Sequence, residues 1–94
     1  MAYDTNSLVT AFPRVGSAEG PGDASGGFNS AIHIYRSADP VLTVIGAGYI
    51  NDGVDKGVQV NDIVLVVDDN VPTIDVCLVT VVTAAGLVTM INGT

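Results

Sequence analysis

The side chains best suited to chemistry are few: His33, Cys77, the pair Asp68-Asp69 and the serines near the N-terminus. His33 stands beside Tyr35 in a short alternating run, where a histidine is more often structural or at the surface than catalytic. Cys77 lies in an apolar run that favours burial, and burial suppresses the thiolate that nucleophilic chemistry needs. The serines show no nucleophile-elbow motif. We therefore predict no catalytic residue and no enzymatic activity.

The acidic residues offer two candidates for metal binding, and both have a simpler explanation. Asp68-Asp69 falls where a solvated loop between two strands is expected. Residues 51–57 resemble a calcium loop in their carboxylates, but the D-x-[DN]-x-[DN]-G ladder and its distant Glu are absent. Cysteine and histidine spacing typical of zinc sites is absent as well. We expect no metal and no cofactor.

The glycines of Gly46-Ala47-Gly48 resemble the first turn of a dinucleotide-binding fold, because they follow the apolar run Val41–Ile45. That fold also needs a third small residue and a helix behind the glycines. The corresponding positions here are Asn51, Asp52 and Gly53, which are poor helix formers. We therefore interpret the glycines as a bend that leads the chain into another strand.

The composition favours strands as the elements that position these residues. Hydrophobic residues make up 48% of the chain and aromatic residues only 5%, so the core must consist of Val, Ile and Leu. β-branched side chains favour strands over helices. A chain of 94 residues allows one domain. The composition predicts an all-β protein.

The net charge of −7 bears on possible partners. Direct binding to nucleic acid is disfavoured, because phosphates are bound through a basic surface. No apolar run approaches the roughly 18 residues of a membrane span, and the N-terminus lacks the basic and apolar regions of a signal peptide. We expect a soluble protein made in the cytoplasm, with no membrane partner.

Apolar runs and period-2 alternation predict strands at 31–37, 41–45, 63–67, 73–83 and 87–91. Turn residues separate these runs, so we expect a meander of antiparallel strands that forms a small barrel or sandwich over residues 31–94. Both faces of the strongest runs are apolar. In the fourth run the alternation predicts one face with Ile74, Val76, Leu78 and Val82, and another with Cys77, Val79 and Val81.

Residues 1–30 are predicted to form an extended, Gly-rich N-terminal arm. Positions 16–27 are rich in glycine and too poor in apolar side chains to offset the entropy of ordering. Ahead of them lies a short apolar patch with Leu8, Val9 and Phe12, closed by Pro13. This segment is either a disordered tail or an arm whose patch contacts another subunit or a capsid. The sequence leaves both possibilities open.

A small sheet with two apolar faces predicts self-association. Fewer than about 65 residues remain to cover both faces, and such small domains supply only about 3–5 kcal/mol from their own core. We expect the outer apolar positions to be buried between subunits, with a trimer possible. The candidate interface residues are Val64, Val66, Val79 and Val81.

Two motifs resemble short virion proteins of tailed bacteriophages. Tyr49-Ile50-Asn51-Asp52 followed by Val58–Val64 is similar to their "G-Y-F-N-D … L-x-V-G-D-x-I" pattern, with Asn61 in place of glycine. Val81–Val88 is similar to their closing hairpin, "V-x-T-x-x-G-x-V-x-V". The resemblance covers roughly residues 31–92.

This resemblance implies a capsid decoration, cement or head-fibre-base protein, often trimeric, that binds the major capsid protein on the virion surface. A tail or adaptor component is the structural alternative. A soluble module that binds a ligand or carbohydrate is the alternative from another class, but it would need a ring of exposed aromatic residues. Tyr3, Tyr35 and Tyr49 are widely spaced in the sequence and give it no support.

Overall fold

A computed structural model of the chain describes residues 3–13 and 30–93. A 3-10 helix at Thr5–Ser7 precedes the strand β1 (Leu8–Phe12). The strand β2 (Ile32–Ser37) and the short helix α1 (Val41–Val44) come next. Three further strands complete the fold: β3 (Ile63–Asp68), β4 (Thr73–Val82) and β5 (Val88–Asn92). The prediction of a mainly β protein is confirmed.

The described strands form one five-stranded sheet in the order β1-β2-β3-β4-β5. The pairs β1–β2, β3–β4 and β4–β5 are antiparallel, whereas β2 and β3 run parallel. The prediction of a purely antiparallel meander is therefore wrong at one junction. A parallel pair needs a long crossover, and residues 38–62 supply it.

The crossover covers one face of the sheet and completes the core. Val44, Ile50 and Val58 from the crossover pack against the sheet, and all three are buried. The sheet residues on this covered face are Leu8, His33, Tyr35, Val64, Val66, Cys77, Val79, Val88 and Met90. Aliphatic side chains with one buried tyrosine therefore supply this core, as the composition predicts.

The run at 41–45 is a helix and not the predicted strand. An apolar run this short does not distinguish the two states, and Pro40 stands at the N-cap position of α1. Val44 points into the core while Leu42 is exposed, so the short helix places one side chain on the sheet. Tertiary context decides the outcome, because the chain must cross over the sheet here.

The predicted strands at 31–37, 63–67, 73–83 and 87–91 are confirmed within a residue or two. The face assignment in β4 is wrong beyond Val79. The pairing with β5 shifts between Val79 and Val81, an irregularity that inserts Thr80 and exchanges the faces of the residues after it. As a result Val81 is exposed, and Val82 packs against the core.

The first part of the predicted arm belongs to the sheet. β1 pairs with β2 over Leu8↔Tyr35, Val9↔Ile34, Thr10↔His33 and Phe12↔Ile32. The boundary near residue 30 therefore does not separate the apolar patch from the β domain. The whole Gly-rich stretch at 16–27 lies outside the described residues.

The predicted turns use left-handed backbone conformations at particular positions. Asn61 has φ of 73°, a left-handed conformation that asparagine tolerates better than most residues other than glycine. Gly57 follows Lys56 with φ of 76°, as the turn chemistry of this segment predicts. In the described part of the chain, no helix has the length and apolar character to cross a bilayer.

Candidate functional site

The second face of the sheet, here called the open face, is apolar and is left uncovered by the described chain. Residues paired directly across neighbouring strands share a face, so the register defines its members: Val9, Phe12, Ile32, Ile34, Ile63, Leu65, Val67, Ile74, Val76, Leu78, Val81 and Ile91. Several of these side chains are exposed by between 37% and 64%: Val9, Phe12, Ile34, Ile74, Val76, Val81 and Ile91. The open face is the strongest candidate for a functional surface.

The four candidate interface residues fall on opposite faces. Val64, Val66 and Val79 are buried in the core of the single chain, so they offer no surface to a partner. Val81 lies on the open face and is exposed. The pattern correctly indicates two apolar faces, but it does not tell which one the crossover covers.

The three candidate contact residues near the N-terminus are divided in the same way. Leu8 is buried opposite Tyr35, whereas Val9 and Phe12 are exposed on the open face. β1 therefore extends the open face at its edge. Val9 and Phe12 are available to a partner only together with the rest of this face.

One end of the open face contains a shallow depression of about 410 Å³. Its lining includes Arg36, Val67 and Ile74, which lie side by side across three strands. The guanidinium Nε of Arg36 donates a hydrogen bond of 3.2 Å to Oδ2 of Asp69. Both partners of this ion pair are substantially exposed. Its lining also includes Asp68, Pro72 and Thr73, so the depression combines apolar walls with acidic side chains and an exposed ion pair.

The acidic residues of the described strands avoid the open face. Asp68 stands opposite Ser37 and Thr73, and Asp75 stands opposite the buried Val66, so both belong to the covered side. Arg36 is the charged side chain that the described strands place on the open face. In a chain of net charge −7, this placement leaves an apolar area with little electrostatic repulsion.

On the covered face, the side chains of Thr10, His33 and Asp62 form a hydrogen-bonded series centred on the buried ring of His33. Nε2 of His33 lies 2.9 Å from Oδ2 of Asp62, and Nδ1 lies 2.9 Å from Oγ1 of Thr10. His33 and Asp62 are both 1% exposed. Asp62 also accepts backbone hydrogen bonds from Ala31 at 3.1 Å and from Gln59 at 2.9 Å. The carboxylate therefore joins β2 to the end of the crossover.

The order of hydroxyl, imidazole and carboxylate is also that of a nucleophile, a general base and its orienting acid. In such a site the imidazole must reach the leaving group of the substrate to return its proton. His33 is enclosed on the covered face, so its ring is inaccessible to a substrate. The described geometry fits a structural connection between β1, β2 and the crossover.

The three tyrosines, distant in sequence, meet in one cluster on the covered side. Their ring centroids lie between 5.5 and 5.9 Å apart. Tyr3 donates a hydrogen bond of 2.5 Å to Asp52, and Tyr49 donates one of 2.5 Å to Asp39. Because Tyr49 gives its hydrogen to Asp39, Tyr35 is the donor in the 2.9 Å contact between their hydroxyls. Tyr35 is fully buried, so the cluster is not the set of exposed aromatic residues that a carbohydrate-binding module would need.

The surroundings of the cluster change the acidities of its members. Burial, followed by the hydrogen bond to Asp52, raises the pKa of Tyr3 above its ordinary value of 10.0. Burial and the hydrogen bond to Asp39 raise the pKa of Tyr49 in the same direction. Burial alone would raise the pKa of Asp52, but hydrogen bonds from Thr5 and Tyr3, with the charge of Lys56, lower it overall. The cluster thus favours neutral phenols at Tyr3 and Tyr49 and an ionised carboxylate at Asp52.

The remaining sequence candidates occupy structural positions. Burial raises the pKa of the Cys77 thiol to about 11. This agrees with the prediction from the sequence that burial suppresses the thiolate. Gly48 has φ of 80° and donates a backbone hydrogen bond to Val88, so the glycine stretch joins the crossover to β5. Among residues 3–13 and 30–93, no group of three or more His, Cys, Asp or Glu residues is arranged to hold a metal ion.

Sequence reasoning predicted an outer apolar surface but not which residues form it, and it missed the hydrogen-bonded side chains of Thr10, His33 and Asp62. The alternation in β2 contains a signal for both. Ile32 and Ile34 alternate with His33 and Tyr35, and the more polar pair points into the core. Aliphatic residues on the outer side of such a strand indicate a second surface for burial.

Comparison with known protein families, with curated proteins and with solved structures gave no match.

Proposed function

We propose that the chain is a structural virion protein of a tailed bacteriophage. In this role it is a decoration or cement protein that self-associates and binds the major capsid protein to stabilise the head. It acts on the capsid surface after synthesis in the host cytoplasm. Its interactions are with protein subunits, and no catalytic step belongs to this function.

The observation that carries the proposal is the open face. The largest apolar patch of a typical soluble monomer is about 300–600 Å² and is often functional, and the open face is a patch of this order. The exposed side chains of the face span all the strands from β1 to β5. A protein whose main feature is such a surface is suited to assembly.

The sequence motifs give the second support. Tyr49–Asp52 and Val58–Val64, which resemble phage virion proteins, lie in the crossover and at the start of β3. Tyr49 and Asp52 both take part in the tyrosine cluster. Matched positions with a structural role agree with a resemblance in fold.

Two alternatives are distinguished by their partners. A phage tail or adaptor component would use the same open face on a different part of the virion. A soluble module for a ligand or carbohydrate would use the depression beside Arg36, whose walls are mainly aliphatic. The tyrosine cluster offers no stacking platform to a sugar, since Tyr35 is buried.

The decisive experiment is mass spectrometry and cryo-EM of purified virions of the phage that encodes the chain. We expect the protein in the particles, with regular density on the outside of the head. Density on the tail or at the neck would favour the adaptor alternative. A protein that is monomeric and absent from particles would contradict the whole proposal.

A binding assay with empty capsids tests the edge of the open face. Phe12→Ser removes an exposed aromatic side chain, so we expect less protein to sediment with the capsids. Val71→Ser is the matched control, because Val71 is similarly exposed in the turn between β3 and β4. Oligomeric mass is measured for both variants, which separates loss of capsid binding from loss of self-association. Equal sedimentation of Phe12→Ser, Val71→Ser and the unaltered protein would exclude this edge from the capsid contact.

A further inference from the structure

We propose that a second copy of this chain packs on the open face, sheet against sheet, so that two chains together form a β-sandwich. This inference rests on the self-association in the proposed function and names the surface and its partner. The chain then contributes half of a two-layer fold. The crossover forms the outer cover of each half.

The first argument is area. A fully exposed Val, Leu or Ile side chain offers roughly 60–120 Å² of apolar surface, if its burial gives about 1.5–3 kcal/mol at about 25 cal/mol per Å². The open-face residues that are 37–64% exposed then offer about 200–400 Å², before the half-buried ones are added. A standard interface takes about 800 Å² from each partner, of which about 60% is apolar. The exposed residues of the open face alone therefore supply roughly half or more of the apolar area that a stable dimer needs.

The second argument is charge. A partner recognised by its charge would require opposite charges on this face, but the described strands place only Arg36 there, with Asp69 beside it. Two acidic copies repel each other least through this surface, where the carboxylate of Asp69 is paired with Arg36. The register places Asp68 and Asp75 on the covered side, which reduces the repulsion between two open faces.

The third argument concerns geometry and the number of chains. Packed sheets lie about 10 Å apart with their strands at about 30°, and short branched side chains interdigitate between them. The open face consists of Val, Ile and Leu, with Phe12 at its edge. One face that packs on its own copy closes the assembly at two chains.

The test is the molar mass of the purified full-length chain by light scattering over a wide range of concentration. We expect the mass of two chains, which falls towards one on dilution. Ile74→Lys places a charge on the open face at a position that is 57% exposed, so we expect at least a tenfold weaker dimer. Leu42→Lys introduces the same charge on α1, where Leu42 is 79% exposed, and should leave the dimer intact.

A second variant keeps the inference testable if Ile74→Lys does not fold. Leu65 lies in the middle of β3, the central strand, and so near the two-fold axis of a face-to-face pair. Leu65→Cys should therefore form a disulfide with its copy under mild oxidation, whereas Leu42→Cys should not. The native Cys77 thiol is buried and does not compete.

Three outcomes would overturn the inference: a single-chain mass at every concentration, a three-chain mass, or equal weakening by Ile74→Lys and Leu42→Lys. The same experiments distinguish failure of the dimer inference from failure of the proposed virion function. A monomer in solution that still binds virions would assign the open face to the capsid protein. A dimer absent from virions would support the sandwich and contradict the virion role.

Discussion

The covered and open faces of the sheet are built from neighbouring residues of the same strands, yet they handle polar groups in opposite ways. The covered face buries a histidine, tyrosines and carboxylates in a hydrogen-bonded network. In the described chain, every buried side-chain nitrogen or oxygen has a hydrogen-bond partner. The open face has aliphatic side chains and one cation at its end.

This difference separates two tasks. Hydrogen-bonded polar groups have strict geometry, so the covered face fixes one position of the crossover on the sheet. Aliphatic side chains are tolerant of register and add free energy in proportion to buried area. The covered face therefore specifies the fold of one chain, and the open face is available to bind another.

The largest expected effect is at the carboxylate of the covered face. Asp62→Ala leaves His33 and the backbone N–H groups of Ala31 and Gln59 without their acceptor. Each buried donor left without an acceptor costs about 1–3 kcal/mol, so the total is a large part of the roughly 5–15 kcal/mol by which domains are stable. Urea unfolding followed by circular dichroism should show a strongly lowered midpoint.

The exposed ion pair provides the control for this substitution. Asp69→Ala removes a carboxylate that accepts from Arg36 at 3.2 Å, but both side chains are in contact with water. Exposed pairs of this kind contribute about 0–1 kcal/mol. If Asp62→Ala and Asp69→Ala lower the free energy of unfolding equally, the buried hydrogen bonds of Asp62 make no special contribution to stability.

The next effect compares two valines of β4 on opposite faces. Val79 is 0% exposed on the covered face, and Val76 is 42% exposed on the open face. Val79→Ala leaves a cavity in the core and should lower the free energy of unfolding by about 2 kcal/mol. This value lies between the costs of Ile→Val and of the larger Leu→Ala substitutions in protein cores. Val76→Ala should cost less than about 0.5 kcal/mol in the dilute single chain.

Concentration distinguishes the roles of these two valines. Val79→Ala should lower stability equally at all protein concentrations, because its loss is internal to one chain. Val76→Ala should matter more as concentration rises, since binding of a second copy stabilises the folded state by mass action. A loss from Val76→Ala that is independent of concentration would argue that the open face is part of the single-chain core.

Much of the fold could be predicted from the sequence, because period-2 alternation and turn residues are local signals. The strands at 63–67 and 73–83 and the left-handed Asn61 follow from side chains within a few residues of one another. The parallel pairing of β2 with β3 and the helix at Val41–Val44 do not, because both depend on where the crossover lies. Topology is set by contacts between distant segments, which one local pattern does not encode.

The surface could be predicted only in part. Apolar residues on both sides of β3 correctly predict a second apolar face, but Val64 and Leu65 are equivalent in the sequence. What distinguishes them is the crossover, which covers Val64. The tyrosine cluster was missed for a related reason, since Tyr3 and Tyr49 meet only after β1 joins the sheet.

The smallest expected effect is the response to alkaline pH, which belongs to the covered side. The pKa values of Tyr3 and Tyr49 are raised above 10.0 in the folded chain. A raised pKa gives stability that is complete below the unfolded value and lost as pH rises towards the folded value. The free energy of unfolding should therefore decline above pH 10, with a rise in tyrosinate absorbance as the chain unfolds.

Replacement of both phenols separates this effect from other alkaline titrations. The Cys77 thiol, with its pKa raised from 9.0 to about 11, contributes a loss of the same sign that begins at lower pH. In Tyr3→Phe/Tyr49→Phe only the thiol part of these two contributions remains, so the decline above pH 10 should be shallower than in the unaltered chain. An unchanged slope in the double variant would show that the cluster holds no neutral phenols against its carboxylates. Because the open face contains none of these groups, dissociation of the proposed dimer should follow unfolding in this pH range and not precede it.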